Sequence, residues 1–250
     1  LLLELIAKAS PALTTQSVPI LISFDWSPET GEFGLMAMLI ATLFCATLST
    51  VASVIFGVPA AMRSAFLAQA VERSVSLISL NLLSALPSSI VGLVCLTILT
   101  PLLGLSVASA CIALFLMSWP TLTLFITARI EQEGTSMIKA AMALGISKRT
   151  AVYRIALKHI EKDLGKIIAF TFGKAIGEAT AVSFVIGKIH HNGVFPSLTE
   201  TAHTLTTMIL NEHPIATGDH HSVIYLAAIT VGILVLLTNS FGPRLLARLI

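Results

Sequence analysis

Long stretches without a charged residue divide the chain into apolar and polar segments. No Asp, Glu, Lys or Arg occurs in residues 33–62 or 74–128. A helix that crosses a membrane needs about 20 mostly apolar residues, so the second stretch can supply two helices. Pro101 and Gly104 in its middle predict a turn between them. The pattern therefore predicts five full spans, at 36–60, 76–99, 105–128, 166–187 and 221–241.

The first residues and the prolines modify this pattern. The opening LLLELIA is too short to cross a bilayer, so we interpret it as the end of a first span, with a short surface helix as the alternative. Proline removes a backbone donor and kinks a helix, and Pro59, Pro87 and Pro120 all lie inside predicted spans. Small residues surround Pro87, which favours close helix packing. This proline either serves that packing or bends a helix beside a central pathway.

The composition agrees with a membrane protein. Of the 250 residues, 55% are hydrophobic and 11% are charged, whereas soluble domains carry about 25% charged residues. The three cysteines lie inside apolar runs, which is typical of packing residues. The chain contains neither the glycine-rich loop of nucleotide-hydrolysing enzymes nor a metalloprotease or serine-hydrolase motif. We therefore expect a protein that is not an enzyme, needs no cofactor and binds no nucleic acid.

The distribution of Lys and Arg predicts the orientation. Basic residues concentrate on the cytoplasmic side of membrane proteins. Three alternate polar segments contain Arg63, Arg73, Arg129, Lys139, Lys148, Arg149, Arg154, Lys158, Lys162, Lys166, Arg244 and Arg248. The opposite segments have only Lys8 and Lys188 near their membrane boundaries. The pattern predicts a cytoplasmic C-terminus, and it places 9–35, the turn near 101 and 188–220 outside.

The long cytoplasmic segment at 130–163 has the pattern of two helices joined by a turn. Residues up to Leu144 favour a helix, Gly145 suits the left-handed position that ends it, and Ser147 suits the N-cap of the next. The second helix has an apolar stripe formed by Val152, Ile155, Ala156 and Ile160. The segment is either an amphipathic hairpin on lipid headgroups or a docking element for a cytoplasmic partner.

This segment resembles the coupling loop of ABC importer permeases. The family pattern reads Glu-Ala-Ala, three residues, Gly, nine residues, then Ile-x-Leu-Pro. Lys139 stands where glutamate is expected and Lys158 where proline is expected. The positions in register are Ala140, Ala141, Gly145, Ile155 and Leu157. The resemblance implies that these five residues and Lys139 couple the chain to an ATPase.

Three other stretches are similar to PstC-type permease subunits of phosphate ABC importers: FDWSPETGEFG, LLSALPSSIVGL and GKAIGEATAVSFVIG. Lys174 in the last stretch stands where arginine is usual. The resemblance implies an all-α, polytopic helix bundle of the type I importer (MetI-like) kind. It also implies that 1–250 form one permease domain with six spans, of which this chain has five and a remnant.

The resemblance also implies location and partners. The chain would be a multi-pass component of the bacterial inner membrane. It would pair with a second permease subunit, two copies of a cytoplasmic ATPase and a periplasmic or extracellular phosphate-binding protein. It would carry inorganic phosphate, with another oxyanion or a small solute as the alternative. A secondary transporter or channel would not need the coupling segment, and the chain shows no inverted repeat.

Lys174 and Glu178 are the only charged residues between Ile167 and Gly187. Each charge near the bilayer centre costs about 2.5–3.5 kcal/mol, so the two must face protein or water. Four-residue spacing would place both on one face of a continuous helix. They are either a fixed pair that orients the bundle or part of the substrate pathway. In the second interpretation Lys174 attracts phosphate, and Glu178 holds the lysine and keeps anion binding weak.

The outward segments contain most of the histidines, namely His190, His191, His203, His213, His220 and His221. Their spacing matches no familiar ligand set, so we expect no metal site. Residues 197–210 have the pattern of an amphipathic helix, and we expect it to lie along the outer surface, where it either meets the binding protein or seals the bundle.

Overall fold

A computed structural model describes residues 2–15, 17–156, 158, 160–187 and 196–246. One short antiparallel hairpin, β1 (Trp26–Ser27) and β2 (Glu32–Phe33), accompanies the helices. The helices are α1 (Leu2–Thr15), α2 (Ser17–Ile22), α3 (Met36–Met62), α4 (Ala70–Ala85), α5 (Ser88–Leu103), α6 (Val107–Arg129), α7 (Thr135–Ala143), α8 (Lys148–Thr150), α9 (Glu161–Gly177), α10 (Thr180–Val185), α11 (Leu205–Glu212) and α12 (Gly218–Leu246). Turns of π-helix occupy Arg63–Leu67, Ile130–Gly134 and Ala151–Ala156. The all-α prediction is confirmed.

Three unbroken helices in the described part of the chain are long and apolar enough to cross a membrane. They are Met36–Ala65, Val107–Gln132 and Gly218–Arg244, and they correspond to the spans predicted at 36–60, 105–128 and 221–241. Hydroxyl side chains inside them bond to the helix itself. Thr42 and Ser53 donate to the carbonyls of Met38 and Ser49 at 2.7 and 2.8 Å, which satisfies polar atoms where water is absent.

The expected helix at 76–99 is interrupted. Helix α4 ends at Ala85, and Leu86 has an extended backbone with φ −63° and ψ 131°. Proline disfavours the helical conformation of the residue before it, so Pro87 ends α4 and α5 begins at Ser88. Together α4 and α5 form a broken span or a re-entrant loop.

The expected helix at 166–187 is also interrupted. Helix α9 ends at Gly177 and α10 begins at Thr180, so Glu178 and Ala179 are outside both helices. The glycine at the end of α9 adds no side chain to support the helix. The Glu178 N–H bonds to the Ala175 carbonyl at 3.4 Å, only three residues back, while its carboxylate and carbonyl bond to Ala181 and Thr206. Lys174 and Glu178 therefore do not lie on one continuous helix, and the prediction that a single helix face carries both is wrong.

The chain forms two compact units, of which the first comprises Leu1–Leu48, Pro87–Leu114 and Ala175–Leu236. Its core contains Leu35, Met38, Leu205, Met208 and Ile224. The N-terminus of α6 is buried here, and its free backbone N–H groups need partners. Those of Ser106, Val107 and Ala108 bond to the carbonyls of Val185, Glu200 and Leu198 at 2.8–2.9 Å.

Within this unit, the expected surface helix at 197–210 is shorter and deeper than predicted. Only Leu205–Glu212 is helical, and residues Leu205, Thr206, Thr207 and Met208 are buried. Thr204 caps α11 through a reciprocal pair of bonds with Thr207. The Leu205 N–H also bonds to the Thr42 hydroxyl of α3 at 2.9 Å, so α11 is part of the core.

The second unit comprises Ser49–Leu86, Phe115–Lys174 and Leu237–Ile250. Its core joins α6 and the polar segment that follows it, through Leu122, Ile126, Ile138, Val152 and Ile160. Ion pairs surround this core: Arg73 pairs with Glu131, Arg63 with Glu72, and Arg129 with Asp163. The segment 130–163 thus packs against the ends of membrane helices through a continuous apolar interior.

Candidate functional site

The coupling segment has the local geometry that the sequence predicts. Helix α7 ends at Ala143, and Gly145 has φ +83°. The Gly145 and Ile146 N–H groups bond to the carbonyls of Met142 and Ala141 at 3.0 and 3.1 Å, which closes the helix end. The Ser147 hydroxyl accepts the N–H of Thr150 at 3.2 Å and caps the next helix.

Burial separates the predicted coupling residues into two groups. Ala141 is buried in the core of the unit and Ile155 packs against it, so both hold the segment together. Lys139, Ala140 and Gly145 are exposed. Leu157 is outside the described residues.

The coupling segment also exposes apolar side chains, which the sequence pattern did not predict. Leu144 is 82% exposed, and Met137 and Met142 are 44% and 46% exposed. All three lie on the same short stretch as the exposed coupling residues. The signal in the sequence is ambiguous, because an apolar residue on a short amphipathic helix is as easily placed in the core as on the surface.

Lys174 lies in the second unit, on α9, and it is half-buried beside α6. Its ammonium donates to the Thr121 hydroxyl at 3.1 Å and to the Met117 carbonyl at 3.4 Å. The Thr121 hydroxyl donates to the same carbonyl at 3.3 Å. Two bonds of this cation therefore go to neutral oxygens on the turn of α6 that contains Pro120.

A second polar group lies on the same stretch of α9. A Cβ atom at Gly173 would be 3.1 Å from the Asn239 Nδ2 atom of α12, so the glycine admits this amide to the surface of α9. Thr121 and Asn239 were not predicted as site residues. Nothing in the local pattern distinguishes them from other isolated polar residues in apolar helices.

Glu178 lies in the first unit, at the break between α9 and α10. Its carboxylate accepts the N–H of Ala181 at 3.1 Å, and its carbonyl accepts the Thr206 hydroxyl at 3.1 Å. The side chain thus bonds to the first turn of α10, and the main chain is tied to α11. Glu178 has a structural task in addition to any effect of its charge.

Comparison with known proteins identifies the type of molecule. The family described as "Binding-protein-dependent transport system inner membrane component" matches residues 53–250. The chain belongs to this family. It is therefore the membrane-spanning permease of an ABC importer, and the family works with a substrate-binding protein and an ATPase.

The permease is similar to proteins named for phosphate transport. It is 25% identical to the "Phosphate transport system permease protein PstC" of Mesorhizobium japonicum, over 87% of this chain and 74% of that protein. It is 30% identical to the "Phosphate transport system permease protein PstA homolog" of Mycoplasma genitalium, over 71% of this chain and 30% of that protein. The chain thus spans less than a third of the second relative.

A solved structure supports the fold. A chain of the MetNI methionine ABC transporter, in an inward-facing conformation, superimposes with a TM-score of 0.71 at 15% identity. The match covers 90% of the permease and 100% of that chain. The prediction of the type I, MetI-like permease fold is confirmed.

On the side of the permease that the charge pattern places outside, histidines pack with aromatic residues. His220 stacks on Phe33 with ring centroids 5.7 Å apart and lies 3.7 Å from a Glu212 oxygen. His221 packs edge-on against Tyr225. Among the described residues no three His, Cys, Asp or Glu side chains are arranged to hold a metal ion. His190 and His191 lie outside the described residues.

Proposed function

We propose that this permease moves inorganic phosphate, delivered by an external binding protein, across the bacterial inner membrane. The observation that carries this proposal is the similarity to PstC proteins, which extends over 87% of the chain in one case and 95% in another. In this proposal the chain pairs with a second permease subunit and two ATPase copies. The C-terminus and the segment 130–163 face the cytoplasm, as the excess of basic residues there supports.

Lys174 is the residue that we propose for the substrate pathway. Phosphate carries one to two negative charges near neutral pH, so it needs a cation on its way through an apolar bundle. The ammonium donates to a hydroxyl and to a carbonyl oxygen, and the oxygens of phosphate are stronger acceptors for a cation than either, because they carry negative charge. The flexible stem of lysine allows the ammonium to exchange these oxygens for those of the substrate.

Glu178 belongs to the same proposal with a different task. A carboxylate repels phosphate and so prevents an anion from binding too tightly to leave. Its bond to the Ala181 N–H means that its removal also alters the start of α10. Gln at this position retains an oxygen acceptor and loses the charge, which separates the two effects.

The test measures uptake of radiolabelled phosphate by cells that express the permease with its partner subunits. Lys174→Gln retains a hydrogen-bond donor without the charge, and we expect it to abolish uptake. Lys174→Arg is expected to retain most uptake. Glu178→Gln is expected to lose uptake while the complex still assembles. Normal uptake in the double variant Lys174→Gln/Glu178→Gln would reduce both residues to a structural role.

Competition identifies the substrate. An excess of unlabelled phosphate is expected to suppress uptake, and an equal excess of sulfate is not. If another oxyanion or an uncharged solute competes better than phosphate, the permease belongs to a transporter of that solute.

For the coupling contact we propose Lys139, Ala140 and Gly145 as surface residues, with Ala141 and Ile155 as their support. Leu157 is part of the proposal on the resemblance to the family pattern alone. Leu144, which is exposed at the turn between α7 and α8, is an apolar anchor for the ATPase. We expect Leu144→Asp to reduce co-purification of the ATPase without loss of the permease from the membrane. Met137→Asp, at an exposed methionine of α7, tests whether any exposed apolar side chain of the coupling segment has the same effect.

A further inference from the structure

We propose that a cleft between α6 and α9 binds the headgroup and upper acyl chains of one anionic phospholipid. The cleft lies within the second unit and has a volume of about 270 Å³. It is lined by Phe125, Arg129, Asp163, Lys166, Ile167 and Phe170. None of these residues is part of the proposed substrate pathway or of the coupling contact.

The charges of the cleft favour an anion. Lys166 bonds to one oxygen of Asp163 at 2.8 Å, and Arg129 lies 3.4 Å from the other oxygen. Two cations therefore share one carboxylate, so the lining carries a net charge of +1. The Asp163 side chain is 14% exposed, whereas Arg129 and Lys166 are 38% and 65% exposed. The carboxylate is thus more buried than either cation, and both cations bond to it while they remain partly exposed at the cleft.

The rings of the cleft favour a hydrocarbon chain. Phe125 and Phe170 pack edge to face with centroids 5.7 Å apart, and they are 44% and 46% exposed. Large apolar rings that are exposed at the side of a membrane helix suit contact with lipid hydrocarbon. The rings thus form an apolar floor under the charged part of the cleft.

The two helices repeat the same arrangement in opposite chain directions. Phe125 precedes Arg129 by four residues on α6, which leaves the apolar span, and Phe170 follows Lys166 by four residues on α9, which enters it. Four residues correspond to about 6 Å along a helix. In both helices the cation therefore lies about one turn nearer the polar boundary than the ring. Cations nearer the polar boundary and rings deeper in the membrane match an amphipathic ligand with an anionic head. A free phosphate ion would contact only the cations.

The experiment measures lipid binding to the detergent-purified transporter by native mass spectrometry. The probes are dioleoyl phosphatidylglycerol, which is anionic, and dioleoyl phosphatidylcholine, which has no net charge. We expect one molecule of phosphatidylglycerol to bind more tightly than phosphatidylcholine. Each basic residue near an anionic lipid surface contributes about fivefold in affinity, so Arg129→Gln/Lys166→Gln is expected to lose roughly 25-fold.

Two controls separate this effect from general charge and from misfolding. Arg149→Gln/Arg154→Gln removes two exposed cations that do not line the cleft, and we expect unchanged binding of phosphatidylglycerol. Asp163→Asn removes the carboxylate that competes for both cations, so it is expected to increase affinity. A variant that merely misfolds would lose affinity, which makes the sign of this change decisive.

The apolar half of the cleft distinguishes a lipid from a free anion. Phe125→Ala/Phe170→Ala is expected to weaken binding of phosphatidylglycerol, and 10 mM inorganic phosphate is expected not to displace the lipid from the parent. Displacement by inorganic phosphate would make this an ion site and overturn the lipid proposal. Equal binding of the two lipids, or equal binding by the parent and Arg129→Gln/Lys166→Gln, would overturn it as well. Uptake assays on Lys174 variants do not enter this test, so its failure leaves the proposed function untouched.

Discussion

Gly92→Ala is expected to disturb the contact that holds α10 in place after Glu178. A Cβ atom at Gly92 would lie 2.9 Å from the Ala181 Cα atom and 2.7 Å from the Phe184 Cδ2 atom. The Phe184 ring can rotate, but the Ala181 backbone cannot move without shifting the whole of α10. The glycine is therefore needed because α5 and α10 approach too closely for any side chain.

The size of the effect follows from two opposing terms. Overpacking of a well-packed interior costs about 1–3 kcal/mol. Alanine stabilises a helix by about 1 kcal/mol relative to glycine, which offsets part of this cost. Gly232→Ala on α12 is the matched control, because nothing lies within 4 Å of a Cβ atom there and only the second term applies. The free energy of unfolding of Gly92→Ala is thus expected to be about 1–3 kcal/mol lower than that of Gly232→Ala.

The assay is thermal unfolding of the purified permease complex in the same detergent for both variants. With about 2–4 °C for each kcal/mol, the midpoint of Gly92→Ala is expected to lie roughly 2–12 °C below that of Gly232→Ala. Phosphate uptake at low temperature is expected to fall as well, because the shift of α10 moves the backbone next to Glu178. Equal midpoints for the two variants would refute the reasoning, since they would show that α5 and α10 separate at no cost.

The orientation, the coupling turn and an ion pair give three further predictions. Cysteine at Thr30 is expected to react with an impermeant maleimide from outside, and cysteine at Ser136 only after the membrane is opened. The native cysteines are buried, so their background labelling is low. Labelling of the Ser136 variant from outside would contradict the topology. Gly145→Val forces a β-branched residue to φ +83°, so it is expected to reduce uptake and transport-linked ATP hydrolysis together while the protein still inserts into the membrane. Normal uptake would show that the turn does not serve coupling. The hydrogen bond to its lysine partner, with the nearby arginine, lowers the pKa of Asp163 below 3.8. Because the folded state stabilises the ionised carboxylate, the parent is expected to be more thermally stable than Asp163→Asn by a constant amount near pH 7. This difference is expected to disappear as the pH falls through the lowered pKa, and a difference that persists under acid conditions would exclude this electrostatic origin.

Several features could be predicted from the sequence because they depend on local chemistry. Three of the membrane helices follow from runs of apolar residues, since lipid selects such runs regardless of their neighbours. The end of α7 follows from Gly145 and the start of α8 from Ser147, since a left-handed turn and a hydroxyl cap depend on one residue each. The resemblance to importer permeases also came from short motifs, and the family match confirms it.

Other features depend on contacts that no local pattern encodes. The run of mostly apolar residues predicts one helix at 166–187, but the Glu178 carboxylate bonds to Ala181, and the Thr206 hydroxyl, 28 residues away, bonds to the Glu178 carbonyl. One partner of Lys174 is Thr121, 53 residues earlier, and the cations of the lipid cleft meet at Asp163 only because α6 and α9 are adjacent. Hydropathy determines which segments enter the membrane, because transfer from water to lipid is a property of each segment. The positions of breaks, of charged partners and of clefts are decided by tertiary structure, because a buried polar group is stable only beside a partner that another part of the chain supplies.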